Sequence, residues 1–285
     1  MKISICGVGF VGTAMLNSFL LKGFKIGKDL FLYDKFKNGG MGCFEDLLLS
    51  EIIFIALPTM YDENKKCYNK EAIKDTLASL KKNSYQGAVV IKCTVEPLTT
   101  ENLSKTFDLN LIHNPEFLTA RTAEEDFHNQ KQIVLGKSSS CDINKFHLVK
   151  KFYEDNYPTA EISLCDSNES EAMKIFANSF YSTKIQFFNE LYLLCQRTGI
   201  NFNSTRDLML KNGWINEMHT NVPGPDGKLS YGGLCFPKDT NALLNFMRLN
   251  GTPCNVLEAV ITERNNMRKD TENIIHKSDR FKVLE

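Results

Sequence analysis

A glycine-rich turn near the N-terminus constrains the fold of this chain more than any other segment. Gly7-Val8-Gly9-Phe10-Val11-Gly12 follows the apolar run Lys2–Cys6 directly and precedes a stretch with helical spacing. In this order Gly7 permits the tight turn, Gly9 lets a pyrophosphate approach the backbone, and Gly12 lets the helix pack close to the strand. The N–H groups at the helix start then face the phosphates. The segment therefore predicts a dinucleotide-binding strand–turn–helix unit.

Short apolar runs alternate with amphipathic stretches through the first half of the chain. The runs predict the strands Lys2–Cys6, Leu30–Tyr33, Ile52–Ala56, Ala88–Lys92, Asn110–His113, Gln132–Leu135 and Ala160–Leu164, and the gaps predict helices such as Gly12–Leu21 and Lys70–Leu80. This alternation is typical of a parallel sheet covered on both faces. We therefore expect an α/β fold, with a Rossmann-type doubly wound parallel sheet over residues 1–165.

The pattern changes after Cys165. No Gly or Pro occurs from Asp166 to Thr198, and apolar residues recur there at helical spacing, which predicts one long central helix over about 167–198. The further helices expected are Ser204–Lys211, Asp239–Asn250 and Asn255–His276, which make residues 166–285 a mostly helical domain. The apolar stripe of the long helix predicts a homodimer.

Composition excludes several classes of protein. The 34 basic and 34 acidic residues cancel, so no charge excess favours nucleic acid or an anionic membrane. No run approaches the ~18 apolar residues that would span a bilayer. The nine cysteines form no CxxC pair and no metal-ligand spacing. We expect a cytoplasmic protein with reduced thiols and no metal site.

An acidic residue ends the second predicted strand. Asp34 lies 22 residues after Gly12, where a carboxylate binds a ribose diol and repels a 2′-phosphate. This position predicts NAD rather than NADP. The positive charges of Lys35 and Lys37 slightly weaken the exclusion of NADP, because they would attract its 2′-phosphate.

Other candidate residues occur in three places. Cys235 lies in a glycine-rich loop before a predicted helix, where its thiol is placed as a nucleophile, although a buried cysteine in a tight turn fits the loop equally. Lys174 and Asn178 share one helix face, as an oxyanion-binding pair or as a solvated stripe. Thr94 and Glu116 follow predicted strands, where ligands gather, although a turn hydroxyl and a helix-terminal acid also fit.

Together these segments resemble the UDP-glucose/GDP-mannose dehydrogenase family. The matching segments occur in the family's order and span nearly the whole chain: Gly7–Gly12, Ala56–Thr59, Cys93–Val95, Asn114–Leu118, Glu171–Glu190 and Gly232–Asp239. The resemblance implies four-electron oxidation of UDP-glucose to UDP-glucuronate by two NAD molecules in turn. Another nucleotide sugar (GDP-mannose or a UDP-N-acetyl-hexosamine) and a non-catalytic NAD-binding remnant remain alternatives.

The resemblance also implies a role for each residue. Cys235 traps the aldehyde as a thiohemiacetal, Lys174 and Asn178 stabilise oxyanions, Asp239 works with Lys174 in acid–base steps, and Glu116 and Thr94 position or activate water. The expected cofactor contacts are Gly7, Gly9, Phe10, Val11, Gly12, Asp34, Pro58, Thr59, Thr94 and Lys238. The expected substrate contacts are Glu116, Phe117, Leu118, Lys174, Asn178, Tyr231, Gly232 and Gly233.

The chain departs from the family pattern in three respects. Ala120 stands where a second glutamate is usual, so thioester hydrolysis is expected to be slow or to use Glu116 alone. Family members often carry an arginine ahead of the Gly-Gly-x-Cys loop that reaches the substrate of a partner subunit. Here the corresponding stretch reads Trp214-Ile215-Asn216, with His219 nearby. Family chains also continue into a third domain that grips the nucleotide. We expect that domain to be missing here and the loop 221–231 to supply part of its site.

Overall fold

The strands of this protein are short, apolar and buried. The computed structural model describes residues 1–119 and 121–268. Its strands are β1 Ile3–Cys6, β2 Leu30–Tyr33, β3 Ile52–Ile55, β4 Tyr61–Asp62, β5 Cys67–Tyr68, β6 Ala88–Ile91, β7 Asn110–His113, β8 Gln132–Lys137 and β9 Glu161–Asp166. All seven predicted strands are present, while the small β4–β5 hairpin was not predicted.

Helices connect most of these strands and then dominate the chain. Their bounds are α1 Phe10–Leu21, α2 Phe44–Leu47, α3 Glu71–Lys82, α4 Thr99–Phe107, α5 Ala123–His128, α6 Ile143–Asn156, α7 Ser167–Thr198, α8 Phe202–Leu210, α9 Phe236–Leu249 and α10 Asn255–Met267. The long helix has the predicted extent. The last predicted helix, Asn255–His276, begins where predicted but ends at Met267, because the backbone of Arg268 is extended. Residues 269–276 lie outside the described residues. No helix in the described part is long and apolar enough to cross a membrane.

Seven strands form one sheet in the order β2-β1-β3-β6-β7-β8-β9. The sheet differs from the predicted parallel arrangement at one junction, because β8 runs antiparallel to β7, with Ile112 opposite Lys137. The connection between β7 and β8, which contains the six-residue helix α5, therefore starts and ends at the same edge of the sheet. Alternate strand residues enter two cores: Ile3 and Ile5 lie on one face, and Ile53 and Ile55 on the other. Burial on both faces explains the continuous apolar runs.

Two compact units divide the described chain. The sheet unit comprises residues 1–60 and 68–174, and the helical unit comprises residues 61–67 and 175–268. The sequence predicts the domain boundary at 165/166, whereas the two units divide between Lys174 and Ile175, inside α7. The two positions differ because the first turns of α7 pack on the sheet. A Cβ at Gly136 of β8 would lie 2.5 Å from the Ser170 Cβ, so the helix start lies directly against that strand.

Candidate active site

The glycine turn lies where the order of the sheet changes direction. Strand β1 has β2 on one side and β3 on the other, and ligands of doubly wound sheets bind at such a switch point. Gly7 has a φ of 94°, and its N–H donates to the Tyr33 carbonyl at 2.8 Å. A Cβ at Gly12 would lie 1.9 Å from the Gly7 oxygen, whereas a Cβ at Gly9 would have no neighbour within 4 Å. The turn is therefore tightly packed between Gly7 and Gly12, and there is open space next to Gly9. This space would allow a pyrophosphate to approach the backbone. Phe10 and Val11 begin α1 there.

Asp34 is held firmly beside this turn. Its carboxylate accepts hydrogen bonds from the backbone N–H groups of Val8 at 2.8 Å and of Phe36 and Lys37 at 2.9 Å. Burial raises the pKa of Asp34, but these N–H donors outweigh burial and hold the pKa below its ordinary value. The Lys37 ammonium donates to the Val8 carbonyl at 2.6 Å, so a cation and a carboxylate flank the same residue of the turn. The fixed carboxylate fits a ribose diol.

The loops after β3 and β6 are joined by a hydroxyl. The Thr59 Oγ1 donates to the Thr94 carbonyl at 2.8 Å, and both residues are buried, while Pro58 is exposed. The structure therefore brings Thr59 and Thr94 together at the carboxyl edge of the sheet, as parallel strands require.

Lys174 and Glu116 form a second contact of the sheet unit. The Lys174 Nζ donates to the Glu116 carbonyl at 2.5 Å and lies 3.5 Å from its carboxylate Oε1. The other carboxylate oxygen accepts from the Leu118 N–H at 2.6 Å. Phe117 is 42% exposed, with its ring centroid 5.3 Å from the lysine nitrogen. The lysine is buried, so a cation and a carboxylate stand together out of water.

Cys235 lies at the start of α9. The predicted helix begins at Asp239, but the observed helix begins at Phe236 with Cys235 as its N-cap. The difference arises because Pro237 fits the first turn, where no N–H donor is needed. The thiol is exposed. A helix N-terminus stabilises the thiolate form, which is the reactive one.

Asp239 lies one turn after the thiol. It is fully buried, and its N–H donates to the Cys235 carbonyl at 3.0 Å. The Asn178 Nδ2 donates to one carboxylate oxygen at 2.6 Å, and the Lys238 Nζ to the other at 2.5 Å. Within the helical unit the structure therefore brings Asn178, Lys238 and Asp239 together beside the loop of Cys235.

The loop before the thiol is packed against α10. Tyr231 is buried, and Gly232 lies so close to the Arg268 guanidinium that a Cβ would stand 2.2 Å from its nitrogen. Gly233 has a φ of 77°, which favours glycine. Arg268 also forms an ion pair with Asp226, so part of the loop 221–231 is engaged inside the unit.

The remaining departures from the family pattern occupy different surroundings. Trp214 is 90% exposed. The His219 ring lies 5.0 Å from the Tyr181 ring and 5.6 Å from the Phe236 ring, and its burial and the Lys184 charge lower its pKa. Ala120 lies outside the described residues. In the described part no cluster of three His, Cys, Asp or Glu side chains is arranged to hold a metal ion.

Family models match most of the chain. Residues 41–157 match the NAD binding domain of the UDP-glucose/GDP-mannose dehydrogenase family, and residues 168–266 match its central domain. The chain belongs to the UDP-glucose/GDP-mannose dehydrogenase family. The predicted family and the NAD cofactor are thereby confirmed.

Two curated relatives illustrate what this family member is similar to. The chain is 32% identical to UDP-glucose 6-dehydrogenase of Rickettsia felis, over 76% of this chain and 48% of the relative. It is 28% identical to UDP-glucose 6-dehydrogenase of Campylobacter jejuni, over 77% of this chain and 54% of the relative. The chain thus spans about half the length of these relatives.

Solved structures share the fold. A UDP-glucose dehydrogenase from Pyrobaculum islandicum aligns with a TM-score of 0.79 at 22% identity, covering 93% of this chain and 68% of that one. A 3-hydroxyisobutyrate dehydrogenase from Mycobacterium tuberculosis aligns with a TM-score of 0.73 at 13% identity, covering 94% of each chain. At these identities the alignments support the fold alone.

Sequence reasoning missed one charged residue of this family member. Lys92 was predicted only as the end of a strand, yet it is 2% exposed and donates to the Asn114 side chain at 2.7 Å. A lysine that directly follows the apolar run Ala88–Ile91 was the available signal.

Proposed function

We propose that this protein is an NAD-dependent nucleotide-sugar 6-dehydrogenase that oxidises UDP-glucose to UDP-glucuronate. The observation that carries the proposal is the array in the helical unit. Cys235 is exposed at a helix N-terminus, and the buried Asp239 that follows it is bound by Asn178 and Lys238. A thiol with a fixed carboxylate one turn away suits covalent capture of an aldehyde. The names of the curated relatives support the substrate.

The turn Gly7–Gly12 and Asp34 would hold NAD, which would supply the hydride acceptor for both oxidations. In the first, C6 of the sugar loses a hydride and its hydroxyl gives its proton to the Asp239 carboxylate, which leaves an aldehyde. The Cys235 thiolate then adds to the C6 aldehyde, which forms a C–S bond and an alkoxide, a thiohemiacetal after protonation. A second two-electron oxidation converts this adduct into a thioester. Water attacks the thioester carbon, the C–S bond breaks, and the carboxylate leaves while the sulfur regains its proton. The adduct keeps the aldehyde in place, so the second oxidation needs no new encounter.

The other residues handle charge and protons in this proposal. The Lys174 ammonium and the Asn178 amide donate hydrogen bonds to the oxyanions that develop on the sugar. The Asp239 carboxylate accepts and returns protons, and Glu116 and Thr94 orient the attacking water. The hydrogen bonds on Asp239 and the contact between Lys174 and Glu116 support these roles.

A stoichiometric assay tests the reaction. NAD is mixed with UDP-glucose, GDP-mannose or a UDP-N-acetyl-hexosamine, and NADH is counted per sugar for the wild type and for Cys235→Ser. Two NADH per UDP-glucose, abolished or stalled by the substitution, is the expected result. Cys43→Ser, which removes an exposed thiol of the sheet unit, serves as the matched control and should leave the count at two.

Three other outcomes would revise the proposal. Turnover with another sugar alone would change the substrate. A burst that stops after two NADH per active site would indicate failed thioester hydrolysis, as the alanine at position 120 predicts. NAD binding in calorimetry without turnover on any sugar would favour a non-catalytic NAD-binding module.

Helix α7 also supports a homodimer. Phe176, Phe180, Phe187 and Leu194 lie along one side of this helix and are each more than half exposed. Phe176 and Phe180 also line an apolar groove of about 340 Å³ with residues of α9 and α10. In a dimer with two-fold symmetry, the same surface patch lies at the interface on both subunits. The apolar stripe would therefore pack against the same stripe of a second copy. Sedimentation should show a dimer for the wild type and a monomer for Phe180→Arg. Leu208→Arg, at an equally exposed leucine of α8, should remain a dimer, and a monomeric wild type would overturn the proposal.

A further inference from the structure

His113 is a fully buried histidine to which the proposed reaction assigns no role. It ends strand β7, and both of its ring nitrogens have hydrogen-bond partners. The Nδ1 atom lies 2.8 Å from the Ser170 hydroxyl of α7, and the Nε2 atom lies 3.3 Å from the Cys93 carbonyl, which follows β6. All three residues belong to the sheet unit. This chain of contacts, Ser170–His113–Cys93, is called the histidine bridge.

The partners of the ring determine which nitrogen carries the proton. A carbonyl oxygen can only accept, so Nε2 carries the hydrogen and donates it to Cys93. The Nδ1 atom of the neutral ring is then an acceptor, and the Ser170 hydroxyl donates to it. Burial lowers the pKa of His113 to about 3, and the charges of Lys92 and Lys174 act in the same direction. The ring is therefore neutral near pH 7, as the two hydrogen bonds require.

A glycine lets α7 come close enough for this contact. Gly136 of β8 lies opposite His113 across the antiparallel junction. A Cβ at Gly136 would lie 2.5 Å from the Ser170 Cβ and 2.9 Å from the Ser167 Cα. Because Gly136 has no side chain, the start of α7 lies directly on β8 and the Ser170 hydroxyl reaches the ring of the neighbouring strand. The register of the two strands thus places this space beside the histidine.

The segments that the ring joins carry three candidate site residues. Thr94 directly follows the carbonyl that accepts from the ring, and Glu116 lies three residues after His113. Lys174 lies four residues after Ser170, on the same face of α7 and about 6 Å along its axis. The Lys174 Nζ in turn donates to the Glu116 carbonyl at 2.5 Å. The contacts therefore form a closed circuit from the ring through α7 and Lys174 to Glu116 and back along the chain.

We propose that His113 is a positioning residue that holds the start of α7, and with it Lys174, against the turns that follow β6 and β7. Glu171 anchors the same part of α7 on α4 through the Thr100 N–H, whereas the Ser170 hydroxyl reaches the strand that leads to Glu116. A displacement of about 1 Å can cost about a hundredfold in rate. The effect on catalysis rests on the proposed function, whereas the histidine bridge stands on contacts of the sheet unit alone.

NMR of the imidazole nitrogens tests the histidine bridge without any turnover. Histidines are labelled with ¹⁵N, and the His113 signals are identified by their absence in His113→Gln or His113→Asn. The wild-type ring should be the Nε2–H tautomer and should not titrate between about pH 5 and pH 9. Ser170→Ala removes the donor to Nδ1, so the Nδ1 signal should shift while the tautomer is retained. An Nδ1–H tautomer, a ring that titrates in this range, or an Nδ1 signal unchanged by Ser170→Ala would overturn the bridge.

Ser18→Ala is the matched control. The Ser18 hydroxyl of α1 is also buried in the sheet unit and lies 3.1 Å from the His128 Nδ1 and 2.9 Å from the Tyr157 hydroxyl. None of these three residues belongs to the candidate site. Ser18→Ala therefore removes a comparable contact between a serine and a histidine. It should shift the His128 signals and leave the His113 signals and kcat unchanged.

Turnover tests the positioning role through a split between kcat and KM. Ser170→Ala should lower kcat about tenfold and leave the KM for NAD unchanged, because the glycine turn is not altered. His113→Gln keeps a donor near the place of Nε2 but loses the acceptor for Ser170, whereas His113→Asn keeps an acceptor near the place of Nδ1. His113→Asn should therefore retain more of the kcat than His113→Gln, and the reverse order would contradict the role.

The double variant separates this hydrogen bond from a general loss of packing. Ser170→Ala added to His113→Gln should lower kcat no further, because both substitutions remove the same contact. Losses that multiply, or a Ser170→Ala variant with the kcat and KM of the wild type, would refute the role. Ser170→Ala alone carries the test if His113→Gln does not fold. If the wild type turns over no sugar, the proposed function fails, while the NMR measurement still decides the histidine bridge.

Discussion

The sheet unit and the helical unit hold their candidate residues by different means. In the sheet unit, Thr94 and Glu116 follow strands that are buried on both faces, so apolar packing sets their positions. In the helical unit, Phe188, Cys195 and Phe202 form one buried cluster, and Tyr231, Leu244 and Leu257 are buried as well. The loop before Cys235 belongs to no strand or helix, so its backbone polar groups need other hydrogen-bond partners.

Side-chain hydrogen bonds supply such partners in that loop. The Ser230 N–H donates to the Asn189 side chain at 2.9 Å, its hydroxyl to Gln186 at 2.6 Å, and the Arg264 Nε donates to the Tyr231 carbonyl at 3.1 Å. Close packing leaves no room for added atoms, whereas a buried polar contact fails when one partner is removed. The comparison therefore predicts steric sensitivity in the sheet unit and local loosening in the helical unit.

The largest effect is expected at Gly12 of the sheet unit. Gly12→Ala places a Cβ 1.9 Å from the Gly7 oxygen, and the clash is with backbone rather than with the end of a flexible side chain. Urea denaturation should show a loss of about 3 kcal/mol or more. Gly9→Ala is the control, because a Cβ there has open space. It should change stability by no more than about 0.5 kcal/mol and still weaken NAD binding in calorimetry. Equal stability of the two variants would contradict the closed turn.

The sheet unit also buries a carboxylic acid whose ionisation opposes folding. Glu171 accepts from the Thr100 N–H at 2.7 Å, and its other oxygen has no hydrogen-bond partner in the described part. Burial raises the pKa of Glu171 to about 7. Because the folded pKa exceeds the unfolded one, stability falls as the pH rises through that range and is then constant.

Glu171→Gln should remove this pH dependence. The amide keeps an acceptor for Thr100 and carries no charge, so the variant should exceed the wild type by about 3 kcal/mol at pH 8.5 and match it near pH 4. Denaturation at both pH values measures the difference. Glu101→Gln is a control of opposite sign, since hydrogen bonds from Lys105 and Ser139 lower the pKa of Glu101 to about 2. A Glu171→Gln difference that does not vary with pH would contradict the raised pKa.

The sequence specified the sheet unit better than the helical unit, for a physical reason. Strands such as Ile52–Ile55 are apolar throughout because both faces are buried, and this pattern is visible in the chain. The reversed direction of β8 was not visible, because a buried strand reads the same in either direction. Lys174 and Asn178 were recognisable by helical spacing, but Lys92 was not, because its burial depends on Asn114 and Phe127, which are distant in sequence.

A smaller effect is expected at Gly232 of the helical unit. A Cβ there meets the Arg268 guanidinium at 2.2 Å, which is the far end of a flexible side chain rather than backbone. Gly232→Ala should therefore cost about 1 kcal/mol, less than Gly12→Ala. The loop rather than the whole unit should loosen. The rate of alkylation of Cys235 by iodoacetamide should therefore rise, while that of the exposed Cys43 should stay the same. A loss as large as that of Gly12→Ala would remove the contrast between the units.

The smallest effect is expected at two matched helix caps. Asp142 caps α6 by accepting from the Asn144 N–H at 2.6 Å, and Asn201 caps α8 by accepting from the Ser204 N–H at 2.9 Å. Replacing either residue with alanine should cost about 1 kcal/mol or less of global stability.

Hydrogen exchange should separate the two caps where denaturation does not. Helix α6 buries four side chains in the sheet core, including Phe152, so it should stay protected in Asp142→Ala. Helix α8 buries Phe202 alone among its residues, so in Asn201→Ala its amides should exchange by local opening well below the global free energy. Equal protection of both helices would mean that the helical unit is held as rigidly as the sheet unit. The polar contacts around Ser230 would then stabilise helix α8 as well as the loop, although Ser230 bonds to Asn189 and Gln186 of α7.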